Sequence, residues 1–254
     1  MSTIILSLIP NRKCFLLATL LSFLVPTLAF GNAAQVERER DQLLLARRGM
    51  IERDLVGRGI KDTRILEIMG SLERELFVPD KLRSHAYEDR PLPIGAGQTI
   101  SQPYIVALMT ELLGLKGSER VLEVGTGSGY QTAVLGKLAA EVYSIEILPS
   151  LSQRAKALLE RLGLDNVHLR VGDGFFGWEE RGPYEAILVT ASAPKIPEPL
   201  WQQLRESGRL IMPLGNDRQT QRLVRVTKVD GKQVIENISG VVFVPLTGAI
   251  QKNR

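Results

Sequence analysis

The apolar positions of this chain recur with two different periods, and the change of period divides it. From Gln35 to about Leu76 apolar residues return every three to four positions among charged ones: Leu43 to Leu45, then Met50, Ile51 and Leu55, then Ile65, Leu66, Ile68 and Met69. That spacing predicts helices with one apolar face. Asp62 or Thr63 is placed to cap the second of them. Val78 to Pro103 has no period and is rich in Pro, Gly and charge, so it is expected as loop. A helix is expected from about Tyr104 to Leu113.

Beyond Arg120 short apolar runs alternate with helical stretches. Strands are expected at Arg120 to Val124, Glu141 to Ile145, Val167 to Val171, Tyr184 to Thr190 and Arg209 to Pro213. Helices are expected between them, at Gln131 to Leu138, Pro149 to Leu162 and Pro197 to Leu204. Alternation of this kind predicts a parallel sheet with helices on both faces. The end differs: Arg222 to Val229 and Lys232 to Ile238 flank Asp230-Gly231, a hairpin turn signal. The expected fold is α/β, a Rossmann-like sheet with an N-terminal helical extension and a C-terminal antiparallel hairpin. It forms one domain over residues 35–254, with parts at 35–118, 119–215 and 216–254.

The first 34 residues stand apart. Arg12 and Lys13 precede an apolar run from Cys14 to Phe30, and small residues follow at Gly31, Ala33 and Ala34. Basic start, apolar middle and small-residue end are the parts of a secretory signal, cleaved after Gly31 or near Ala34. A retained membrane anchor is the rival expectation, at the lower edge of a spanning length and weakened by Pro26. A start at Met50 is the third.

Composition narrows the chemistry. The net charge of +4 comes from acids and bases mixed throughout, with no Lys/Arg tract, so no nucleic-acid partner is expected. Cys14 is the only cysteine and His85 and His168 the only histidines. The body of the chain therefore offers no thiolate nucleophile, no disulfide and no His/Cys metal cluster.

The central motif is Val121-Leu122-Glu123-Val124-Gly125-Thr126-Gly127-Ser128-Gly129-Tyr130. A buried strand enters a glycine-rich turn and a helix starts at once. The dinucleotide fingerprint needs a third glycine where Tyr130 stands, which argues against a nicotinamide or flavin dinucleotide. Glu146 follows about 20 residues on, at a strand end, where an acid accepts both hydroxyls of a ribose. Asp173 ends the next strand in Gly172-Asp173-Gly174 and is placed to meet an adenine edge. Glu123 adds negative charge that suits an amino group or a cation and repels phosphate. A positively charged nucleoside without phosphates fits this set.

The arrangement resembles the class I S-adenosylmethionine-dependent methyltransferases from roughly Arg120 to Pro213. The resemblance implies S-adenosyl-L-methionine as methyl donor, with Glu123, Gly125, Thr126, Gly127 and Gly129 at its methionine part. It implies Glu146 at the ribose, and Asp173 with Gly174 at the adenine.

The methyl acceptor is addressed by Leu92-Pro93-Ile94-Gly95-Ala96-Gly97-Gln98-Thr99-Ile100-Ser101-Gln102-Pro103. Pro93, Gly95 and Gly97 fix an irregular loop, and Gln98, Thr99, Ser101 and Gln102 offer neutral hydrogen-bond donors suited to a carboxylate. The plainer alternative is a polar turn in which Ser101 caps the helix after Pro103. The stretch closely resembles the protein-L-isoaspartate (D-aspartate) O-methyltransferase family. Gly125 to Thr132, Gly172 to Gly174, Ile187 to Ala191 and Val242 to Leu246 resemble it too. Ala96, and Val242 where the family commonly has Arg, depart from the pattern. The resemblance implies methylation of isoaspartyl proteins and peptides, with Ser101 catalytic and Ile94, Thr99, Ser101 and Val244 at the substrate. No metal is implied. A carboxylate is already a nucleophile at neutral pH, so no general base is needed. Two other readings are a class I methyltransferase acting on a small-molecule carboxylate or another acceptor, and an exported module that binds nucleosides or peptides without turnover. Export itself conflicts with a methyl donor made inside cells, so the compartment is expected to be either cytoplasmic, or periplasmic or membrane-attached.

Overall fold

The computed structural model describes residues 24–215 and 220–252. By their contacts, residues 1–45 and 46–254 form two compact units. In the first, the described part belongs to helix α1 (Leu24–Gly49), which extends to the start of the second. Residues 1–23 of the signal-like segment lie outside the described residues. No helix among the described residues is long and apolar enough to cross a membrane.

The N-terminal part of the larger unit is helical, as the three-to-four spacing predicts. A π-helical turn at Met50–Leu55 and a 3-10 turn at Val56–Arg58 precede α2 (Thr63–Ser71). Asp62 is its cap, the carboxylate accepting from the Arg64 N–H at 3.0 Å. The segment expected as loop is more ordered than its composition suggests. It contains a 3-10 turn at Asp80–His85 and a hairpin of β1 (Leu92–Gly95) and β2 (Gln98–Ile100). Ala96 and Gly97 make its turn, both at positive φ (51° and 71°), the backbone that two-residue hairpins require. Pro93 hides the alternation from the sequence. It stands exposed between buried Leu92 and Ile94 in a strand that tolerates a missing N–H.

Helix α3 (Pro103–Leu113) leads to the large sheet. Its strands are β3 (Arg120–Val124), β4 (Glu141–Glu146), β5 (Val167–Val171), β6 (Tyr184–Val189), β7 (Leu204–Leu214), β8 (Gln221–Val229) and β9 (Lys232–Val241). Between them lie α4 (Tyr130–Gly136), α5 (Pro149–Arg161) and α6 (Glu198–Gln203). The spatial order is β5-β4-β3-β6-β7-β8-β9. The first five strands run parallel and the last two antiparallel. This is the expected Rossmann-like fold with its hairpin edge. Strand β7 is longer than the expected Arg209 to Pro213, because Leu204 to Gly208 pairs irregularly with β6 around Ser207 at φ 61°. The core beside α6 gathers Leu122, Val124, Ile187, Val189, Leu210 and Met212 from the central strands with Leu200 and Trp201 from the helix. After β3 the chain moves outward through β4 and β5, then returns to lay β6 on the other side. The crossovers diverge at the carboxyl ends of β3 and β6, where open α/β sheets leave a crevice for ligands.

Candidate active site

Strand β3 ends in the glycine loop, and its geometry explains the composition. Gly125 has φ 99°, and a Cβ there would stand 2.3 Å from Thr190 Oγ1. Gly129 has φ 85° at the start of α4, with a Cβ position 3.1 Å from Ala155 Cβ. Neither place admits a side chain without moving a neighbour. Beneath the loop Glu123 is fully buried. Its Oε2 accepts from Thr132 Oγ1 and Ser144 Oγ, each at 2.6 Å, while Oε1 has no partner. Thr126 Oγ1 lies 2.6 Å from Ser144 Oγ, and so donates to it. Burial pushes the Glu123 carboxyl up to about 7 against the pull of its two hydroxyl donors. This acid ties β4 and α4 to the underside of the loop. It does not line the cleft above, contrary to the expectation that it faces the ligand.

That cleft lies at the carboxyl ends of β3 and β6, where open α/β sheets take small-molecule ligands. The glycine loop, Glu146, Leu148 and Gly174 form one side of it. Glu146 Oε2 accepts from Gly127 N at 2.8 Å and Oε1 from Leu148 N at 3.0 Å. Each oxygen keeps acceptor capacity, enough for a vicinal diol. Glu146 is the only charged residue on the lining among the described residues. No basic side chain is there to hold a phosphate, and the single carboxylate suits a cationic ligand. The donor set and the backbone cradle thus fit S-adenosylmethionine. Asp173 is not on the lining. Its Oδ1 takes the Phe175 N–H at 2.9 Å and its Oδ2 the Ala249 N–H at 2.7 Å. It thereby anchors the start of α7 (Ala249–Lys252).

A second cleft opens beside the first, and Thr99, Ser101, Thr190 and Val244 line both. The two spaces meet at this wall. Arg58 is the only charged residue lining the second one among the described residues. Its Nη1 donates to Asp89 at 2.7 Å and its guanidinium stacks 3.5 Å over Tyr104. Val242 is largely exposed on the same rim. Ile94 does not reach either lining. Its side chain is buried and its carbonyl accepts from Arg154 Nη1 at 3.0 Å. Thr190, at the end of β6, is a wall residue that pattern reading passed over. Its hydroxyl donates to the Gly125 carbonyl at 2.8 Å, and its place at the carboxyl end of a strand next to β3 is the signal that could have found it.

Ser101 does not cap α3. Gln102 occupies the cap position and makes no side-chain bond there. The Tyr104 N–H is taken instead by Asp89 Oδ1 at 3.1 Å, while Asp89 Oδ2 accepts from Gln102 Nε2 at 2.7 Å. A cap supplied from fifteen residues away is invisible to local pattern. The Ser101 hydroxyl makes no hydrogen bond to any described residue, so it faces the junction of the clefts free to donate. Among the described residues no group of His, Cys, Asp and Glu could hold a metal ion.

Comparison with known proteins points to one family. The sequence profile described as protein-L-isoaspartate(D-aspartate) O-methyltransferase matches residues 47–251. Protein-L-isoaspartate O-methyltransferase 2 of Shewanella sediminis is 51% identical over 243 residues, 96% of this chain and 98% of that protein. Protein-L-isoaspartate O-methyltransferase of Anaeromyxobacter dehalogenans (strain 2CP-C) is 57% identical over 192 residues, 74% of this chain and 91% of that one. Among solved structures, a protein-L-isoaspartate O-methyltransferase superposes with a TM-score of 0.73 at 32% identity, covering 80% of this chain and 67% of that one. A Plasmodium falciparum structure described as a protein-L-isoaspartate O-methyltransferase in complex with S-adenosyl-L-homocysteine gives 0.69 at 30% identity, covering 79% and 98%.

Proposed function

The chain belongs to the protein-L-isoaspartate(D-aspartate) O-methyltransferase family, and we infer that it transfers a methyl group from S-adenosylmethionine to the free α-carboxylate of an isoaspartyl residue in a damaged protein or peptide. The observation that carries this reading is the junction of the two clefts at Thr99, Ser101, Thr190 and Val244. The first cleft takes the cofactor. Gly125, Thr126, Gly127 and Gly129 lie along its methionine part, Glu146 holds the ribose hydroxyls, and Gly174 borders the adenine. Glu123 and Asp173 act from behind, the one setting the glycine loop and the other the turn at Gly174. The second cleft takes the peptide, with Thr99 and Val244 beside the acceptor. Ile94 supports that loop from within.

Bound S-adenosylmethionine supplies an electrophilic methyl carbon on a sulfonium. The acceptor carboxylate is ionised at neutral pH. Its oxygen forms the new bond to carbon as the carbon–sulfur bond breaks, and the electron pair stays on sulfur. No proton moves, so the absence of a histidine or thiol at the junction is no obstacle. What the protein contributes is alignment of oxygen, carbon and sulfur. The Ser101 hydroxyl donates to the carboxylate and fixes its direction without neutralising it. The ester product closes to a succinimide by itself, and water opens that partly to normal aspartate.

The test is methyl incorporation into an isoaspartyl peptide and its matching aspartyl peptide, with wild type and Ser101→Ala. Strong preference for the isoaspartyl peptide is expected. The substitution should lower turnover about tenfold or more, with cofactor affinity unchanged. Its melting temperature should also hold, because Asp89 and not Ser101 caps α3. Equal methylation of both peptides would reject the substrate assignment. The compartment is read separately, by sequencing the native N-terminus: a chain beginning at Asn32 or Gln35 has been processed as an exported protein.

A further inference from the structure

Arg74 is fully buried, and no carboxylate among the described residues bonds to it. The neighbouring acid, Glu75, is committed to Arg47 at 3.3 Å and to the Tyr87 hydroxyl. Arg74 Nη1 has no hydrogen-bond partner. A buried cation without a counter-charge is costly. Charge pairing therefore gives no reason for an arginine here.

Its contacts give one. Nε donates to the Ala86 carbonyl at 2.7 Å and Nη2 to the Ser101 carbonyl at 2.8 Å. Those two residues bracket the segment that carries the β1–β2 hairpin, so one planar group closes its base. The guanidinium also lies 4.7 Å over the ring of Tyr130, which begins α4 directly after the glycine loop and lines the cofactor cleft. Arg74 thus touches both the backbone of Ser101 and the exit of the glycine loop. Its fork is rigid and always charged, which a lysine cannot reproduce at two carbonyls. We propose that Arg74 is a positioning residue for methyl transfer, setting the Ser101 hydroxyl against the glycine loop so that the carboxylate it orients meets the methyl carbon in line.

The proposal rests on the role given to Ser101 above, and a double-mutant cycle separates the two. Turnover on the isoaspartyl peptide and cofactor affinity are measured for wild type, Arg74→Lys, Ser101→Ala and the double variant. Arg74→Lys is expected to lower kcat about tenfold or more while cofactor affinity changes less than about twofold. In the Ser101→Ala background the same change should cost less than about twofold, because the hydroxyl it positions is already gone. A merely structural arginine would cost the same factor in both backgrounds, and that result overturns the proposal. So does a parallel fall in cofactor affinity. If Arg74→Lys fails to fold, the bond is weakened from its other end. Replacing Gln102 by its α-hydroxy acid turns the Ser101 carbonyl into an ester, a poorer acceptor, with every side chain kept. A kcat loss that vanishes in the Ser101→Ala background supports the proposal, and an unchanged kcat overturns it. A wild type inactive on the isoaspartyl peptide would overturn the substrate reading and this inference together. An active wild type with additive losses overturns this inference alone.

Discussion

Glu123 brings a carboxyl into a place water does not reach, and its titration follows from that. Burial lifts it from the ordinary 4.5 to about 7. Between those values the folded chain holds a proton that the unfolded chain has released. Stability from this group is therefore full below about pH 4.5 and is lost as pH rises through about 7. The loss is on the order of 3 kcal/mol. Glu123→Gln carries no titrating proton. Its unfolding free energy should fall less between pH 5 and pH 8 than that of wild type, by up to that amount. Urea denaturation at both pH values measures it, and parallel curves would show that the carboxyl is not perturbed as burial requires. Glu146 is an acid at the cleft with donors from Gly127 and Leu148. Glu146→Ala should weaken S-adenosylmethionine binding by about 1.5–3 kcal/mol. The two N–H groups it frees stand beside the cleft, where water can satisfy them, so folding should survive. Calorimetry with the cofactor decides the first point and a melting curve the second.

At the scale of elements, much was legible because the signals are local. Arg120–Val124 and Val167–Val171 stand where the apolar runs predict them, and Asp62 caps α2 through its own side chain. Asp230 and Gly231 have φ of 50° and 69°, as a two-residue turn between β8 and β9 demands. Gly231→Ala meets no atom within 4 Å, so its cost is backbone strain alone. A loss of about 1 kcal/mol in stability with methylation unchanged is the expected result, read from denaturation and turnover of the same variant. What was not legible depends on distant partners. Ser101 could be read as a cap because a serine beside a helix start commonly is one, but Asp89 reaches across to do that work. Glu123 and Asp173 stand at the strand ends that pattern reading assigns to a ligand. Their carboxylates are claimed by Thr132 and Ser144 and by Phe175 and Ala249, and no spacing rule reports which of several donors wins.

In the whole molecule two ligand spaces lie side by side and meet at four shared residues, and that arrangement constrains the order of chemical events. Thr99, Ser101, Thr190 and Val244 make the wall. A methyl group could cross it in two ways, directly to the acceptor or by way of a methylated protein side chain. The second route needs a nucleophile at the wall, a thiolate, imidazole, amine or carboxylate, and the four residues supply none. Their hydroxyls are neutral and, with no base bonded to Ser101, not activated. Direct transfer therefore requires both ligands in place at once. Initial-rate plots against each substrate at several levels of the other should intersect, and a single displacement should invert a chiral methyl group. Protein incubated with methyl-labelled S-adenosylmethionine alone, then denatured, should carry no label, while adding the isoaspartyl peptide should move label to the peptide. Parallel rate plots, retained configuration or label left on the denatured chain would each mean that a protein group takes the methyl first, and the wall would then have to contain a nucleophile that this geometry does not place there.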